Sequence, residues 1–78
     1  MTFVNVDNME RLFSGFDGCV DRVDLVAPDG TVYDWKSHRG ALRAVLTQVD
    51  HIDRLEVRVR NADDQYRMLR LMMQLKAS

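Results

Sequence analysis

Apolar and polar residues alternate from Arg22 to Leu25 and again from Tyr33 to Lys36, and between the two runs stands Pro28-Asp29-Gly30. Strict alternation predicts strands with one buried face. Pro, Asp and Gly in that order predict a type I turn closed by a left-handed glycine. Such a turn sets Ala27 opposite Thr31, Leu25 opposite Tyr33 and Val23 opposite Trp35. Arg22, Asp24 and Val26 then meet Lys36, Asp34 and Val32 on the other face. A two-residue Asp29-Gly30 turn would place Leu25 opposite Asp34 and Val23 opposite Lys36, sending every apolar partner to the wrong side. The hairpin therefore has one aromatic-bearing face to bury and one charged face for water.

Leu55 to Arg60 is a second period-two run, with Leu55, Val57 and Val59 inward and Glu56, Arg58 and Arg60 outward. Thr2 to Val6 alternates weakly and reads as a short strand. Asp7 stands three residues before Glu10, the capping-box spacing, and predicts a helix through Met9, Leu12, Phe13 and Phe16 that stops near Gly15 or Gly18. Ser37 is placed to cap a helix with Ala41, Leu42, Val45, Leu46 and Val49 on one face and Arg39, Arg43, Thr47 and Asp50 on the other. Asn61 caps a last helix, with Asp63 and Asp64 in its first turn where the macrodipole favours negative charge.

The order of elements is a ferredoxin-like βαββαβ pattern with an extra C-terminal helix. Without a strand at 2–6 it becomes a three-stranded sheet with helices on one face. Both are α/β (α+β) two-layer sandwiches. The outer side, carrying Arg22, Asp24, Asp34, Lys36, Glu56, Arg58 and Arg60, is expected to stay open.

With 78 residues the chain is expected to form one domain, which buries only roughly 60–65% of the surface its unfolded form exposes. The single cysteine, Cys19, excludes an intrachain disulfide. No signal-peptide pattern or apolar membrane span appears, so a cytoplasmic location away from membranes is expected. Residues 1–34 hold seven acids against two bases, a net of −5, and residues 35–78 hold nine bases against five acids, a net of +4. If the two halves separate in space, the molecule is electrically two-ended, which favours complementary partner surfaces.

Candidate chemistry is sparse. His38 and His51 lie roughly 20 Å apart if one helix joins them, too far to share a metal or a substrate. His51 is expected at a helix C-terminus, and Cys19 as a buried structural residue with a thiol blunted by neighbouring acids. Asp17, Asp21, Asp24 and Asp29 lack calcium-loop spacing. No phosphate-cradling, nucleotide-binding, hydrolase or zinc-protease motif is present. The chain is therefore expected not to be an enzyme and to need no cofactor or metal. Arg54, Arg58, Arg60, Arg67 and Arg70 raise nucleic-acid binding through Arg58 and Arg60, but the hairpin aromatics face away from the open sheet side, which counts against it. In the last helix Tyr66, Met68, Leu69, Leu71, Met72, Met73 and Leu75 span an arc of about 220°, wider than the ~100° stripe one sheet needs. Burial within the monomer, a homodimer seam and a partner's groove all fit that surplus.

The resulting expectation is a non-catalytic protein-binding module acting by surface complementarity. In size and class, and in no specific residue, the chain resembles the accessory inhibitors encoded by phages and mobile elements, including anti-CRISPR proteins. That resemblance implies masking of a target protein, with Asp21, Asp24, Asp29 and Asp34 imitating phosphate charge. Arg58 and Arg60 on the sheet and Met68, Leu71, Met72 and Leu75 on the last helix complete the expected partner-binding set. A nucleic-acid-binding domain and a homodimeric structural protein are the alternatives.

Overall fold

A computed structural model describes residues 1–77. The elements are β1 (Thr2–Val6), α1 (Met9–Asp17), β2 (Val23–Val26), β3 (Val32–Asp34), α2 (Arg39–Leu46), β4 (Ile52–Val59) and α3 (Ala62–Ala77). They form an open four-stranded antiparallel sheet in the order β1-β4-β2-β3, with three helices. Because β4 is antiparallel to both β1 and β2, those two strands run parallel with β4 inserted between them. By the same logic β3 runs parallel to β4 with β2 between. Both crossovers are thus split βαβ units.

The hairpin has the predicted register, with Leu25 opposite Tyr33 and Val26 opposite Val32. The Ala27 amide donates to the Thr31 carbonyl at 2.8 Å, the Trp35 amide to that of Val23 at 2.8 Å, and Gly30 sits at φ +90°. Thr2–Val6 is a strand, and its weak alternation has a backbone cause. Asn5 takes φ +52°, a left-handed conformation that Asn tolerates better than most residues. Phe3 and Val6 can then both turn inward, three residues apart.

The core lies on the sheet face carrying Phe3, Val23, Leu25 and Val57, filled by Leu12, Phe13 and Phe16 of α1 and Met68 and Leu71 of α3. Trp35, fully buried, stacks on Phe13 at 5.2 Å and meets Phe16 edge-on at 5.2 Å. Its indole nitrogen donates to Asp17 Oδ1 at 2.9 Å, so the buried polar tip is satisfied. Gly15 lets α3 approach α1, since a Cβ there would stand 2.3 Å from Leu71 Cδ2.

Several helix caps differ from those expected. Asn8, not Asp7, caps α1 and accepts from the Arg11 amide at 3.0 Å, while Asp7 is drawn to His51. Ser37 donates to Asp34 Oδ2 instead of capping α2, which begins after His38 with no side-chain cap. That helix ends at Leu46, so Val49 lies outside it. Asn61 caps α3 as expected, accepting from the Asp64 amide at 2.8 Å.

The charged halves do not separate. The sheet order interleaves them, and Arg39 pairs with Asp17, Arg43 with Glu10 and His51 with Asp7 across the division.

Candidate functional site: an apolar groove beneath α2

A helix that crosses from β3 to β4 should press its apolar stripe onto the sheet, yet none of the residues of α2 is fully buried. Its polar side explains why. Arg39 binds Asp17 at 2.8 Å, Arg43 binds Glu10 at 3.1 Å, and the Arg43 guanidinium lies 5.0 Å from the centre of the Phe13 ring. These contacts fasten α2 sideways to α1. The small Ala41 does not fill the space left over the sheet, and a cavity of about 730 Å³ opens there. Leu25 and Leu55 form its floor, Tyr33 one wall, and Leu42, Val45 and Leu46 of α2 its roof. Val45 is 63% and Tyr33 41% exposed, values that belong to a face with nothing against it. Tyr33 therefore sits on the predicted side of the sheet without the predicted burial.

Polar groups at the groove are few. His38 lines it, with Nδ1 3.4 Å from the Asp34 carbonyl oxygen. Arg54 borders it but pairs with the exposed Val4 on β1, so that its side chain belongs to the sheet face opposite Leu55. Glu56, also in the lining, is occupied: it accepts from the Met1 ammonium at 3.1 Å and the Thr2 hydroxyl at 2.5 Å, and the Thr2 bond first, then the ammonium, hold its carboxyl below the usual range. The size and the apolar lining with a few polar groups match small-molecule sites, which occupy about 300–1,000 Å³. Sequence periodicity discloses the α2 stripe but carries no information on its distance from the sheet.

The residues expected to bind a partner are scattered. Asp24 and Asp34 face each other across the hairpin and share Arg22, at 2.5 Å and 3.8 Å. Partial burial pushes the Asp34 carboxyl up, but the Ser37 hydroxyl, the Lys36 and Ser37 amides and Arg22 outweigh it and hold it low. Asp29 is turned back onto the Thr31 amide, which lowers its pKa, and Asp21 accepts from the Arg22 amide. No free acidic patch results among these four. Arg58 and Arg60 are exposed, Arg58 opposite Asp24 on the open face. Met68 is fully buried and Leu71 nearly so, because both pack into the core with α1, and Met72 and Leu75 are half-buried against it. The uncovered stripe of α3 is instead Tyr66, Leu69 and Met73.

Other residues have structural settings. His51 stands just before β4 rather than ending a helix and lies between Asp7 at 2.5 Å and Asp53 at 2.9 Å, the Asp7 bond raising its pKa most. Cys19 is buried, and burial first, then Asp64, pushes its thiol up. Lys36, expected in water, donates to the Cys19 carbonyl at 2.7 Å. Among the described residues no group of three or more His, Cys, Asp or Glu is placed to hold a metal ion. No described helix is long and apolar enough to cross a membrane.

No protein family, no curated protein and no solved structure matches this chain.

Proposed function

We propose that the protein is a non-catalytic binding module that works through the groove beneath α2. The observation that supports this reading is the uncovered apolar face of α2 above Leu25 and Leu55, held open by its ion pairs to α1. An apolar surface left exposed in a small domain raises the cost of folding, and binding a ligand there recovers it. The test is thermal unfolding with 1-decanol, since a compound that binds only the native state raises the midpoint. Wild type is expected to shift upward in proportion to the logarithm of ligand concentration. Val45→Asp, an exposed position, is expected to fold and to lose the shift. An unchanged midpoint in wild type refutes the reading.

A second reading concerns α3. Tyr66, Leu69 and Met73 are 62%, 50% and 69% exposed and fall on one side of the helix, the spacing of a seam between copies or with a partner protein. Sedimentation distinguishes it: a dimer that Leu69→Glu dissociates supports this surface, and a monomer at high micromolar concentration removes the homodimer.

A further inference from the structure

We propose a second binding site, for a phosphate group, in the cleft where α1 meets α3; it lies on the other flank of α1 from α2 and does not depend on the groove. Arg11, Ser14 and Gly15 of α1 and Arg67, Arg70 and Gln74 of α3 line an open cleft of about 260 Å³. Their spacing by three and four residues puts each set on one flank of its helix. The volume falls below the about 300–1,000 Å³ of sites for drug-sized molecules and suits a group of a few atoms. Three guanidinium groups border the cleft. The one carboxylate bonded to any of them, Asp64 on Arg67, is fully buried and already accepts from the Val20 and Asp21 amides. Arg11 donates to the neutral amide of Gln74, and the Arg70 guanidinium lies 5.9 Å from the centre of the Tyr66 ring; neither arginine has an acidic partner among the described residues. Asp63 stands on the same flank of α3, nearer its start, and is in no ion pair among the described residues. Towards α2 the opposite holds, since Arg39 and Arg43 each find an acid of α1. The chain as a whole carries a net charge of −1, so the positive excess is local to this cleft. Like charges gathered in one place attract a counter-ion, and arginine grips phosphate with a paired fork of donors. A carboxylate has two oxygens, which one guanidinium fills. A phosphate monoester carries about −1.5 to −2 charge on three oxygens, enough for guanidinium groups that approach from two helices, and the Ser14 hydroxyl adds a further donor.

The experiment is calorimetric titration of the full chain, at constant ionic strength, with inorganic phosphate, phenyl phosphate, acetate and an oligothymidylate. At least one of the two phosphates is expected to bind wild type about tenfold or more tighter than acetate, and Arg70→Gln and Arg11→Gln each to weaken it about tenfold, the scale of a lost charge-assisted hydrogen bond. Arg70→Lys, which keeps the charge and loses the fork, is expected to fall between wild type and Arg70→Gln. Lys76→Gln removes one charge from the exposed side of α3 that faces away from the cleft and is expected to leave binding unchanged. Circular dichroism of each variant establishes that it is folded. Tighter binding of phenyl phosphate identifies a monoester and tighter binding of inorganic phosphate the free ion; either supports the site. Binding of neither phosphate, acetate bound as tightly, phosphate binding that survives Arg70→Gln, or a loss in Lys76→Gln equal to that in Arg70→Gln overturns it. An oligothymidylate that binds more tightly than both phosphates overturns it as well, in favour of a nucleic-acid surface.

Discussion

Truncating Asp64 to alanine is expected to cost more stability than any other single change at a charged residue. Asp64 is fully buried at the start of α3 and accepts from the Val20 amide at 3.0 Å, the Asp21 amide at 2.9 Å and the Arg67 guanidinium at 3.1 Å. Burial alone pushes such a carboxyl up; the two amides and Arg67 outweigh it and hold its pKa below the usual range. Hydrogen bonds to a charged group contribute about 1.5–3 kcal/mol each. Val20 and Asp21 are exposed enough for water to reach their amides once the side chain is gone, which favours the low end. The Arg67 pair, half in solvent, adds about 0–1 kcal/mol. Asp64→Ala should therefore lose about 2–4 kcal/mol, against a total of roughly 4–12 kcal/mol for a chain of this length. Asp64→Asn keeps the shape and one acceptor oxygen and should lose about half as much. Urea unfolding reads both, and at about 1 kcal/mol per molar urea the alanine midpoint falls by about 2 M or more. The pH dependence has a definite sign. A carboxyl lowered by folding stabilises above its unfolded value near ~3.9 and loses that contribution as pH falls through its folded value. The gap between wild type and Asp64→Asn should thus close in acid. An Asp64→Ala loss below about 0.5 kcal/mol, or a gap that widens in acid, would refute this account of how α3 is tied to the loop before β2.

Two glycines should respond in opposite directions to alanine. Gly40, in α2 with open space where a methyl would stand and no left-handed φ, should gain about 0.5–1 kcal/mol, whereas Gly30 at φ +90° should lose about 1–2 kcal/mol, both read by thermal unfolding. The His51 ring, watched by proton NMR, should titrate above the ordinary histidine value, and Asp7→Asn should lower that midpoint. Since folding raises its pKa, its contribution is complete below about 6.5 and fades as pH rises through the folded value. Amide hydrogen exchange should be faster in α2 than in α1, because α2 buries no residue and is held largely by exposed ion pairs. Equal protection of the two helices would count against a raised α2.

How much of the structure is legible in the sequence depends on the range of the interaction. The hairpin register is visible because Pro28, Asp29 and Gly30 fix the backbone locally, and the inward set Val23, Leu25 and Trp35 follows from it. Asn61 is visible for the same reason: a cap acts over three residues. Asp64 is legible only as an acid in a first turn, since its partners Val20 and Asp21 lie 44 and 43 residues earlier in the chain. The surplus apolar arc of α3 is apparent, but assigning Met68 and Leu71 to the core requires knowing that Gly15 brings α1 close. The groove is the hardest feature to anticipate. Its apolar stripe is periodic and can be seen; its standoff depends on Arg39 and Arg43 finding Asp17 and Glu10, pairings that neither periodicity nor net charge encodes.

The most direct test of the central claim is a methyl-detected NMR titration with 1-decanol. Shift changes should concentrate on Leu25, Leu42, Val45, Leu46 and Leu55, leaving Leu69 and Met73 unmoved. Changes confined to α3, or none in the methyls beneath α2, would contradict it.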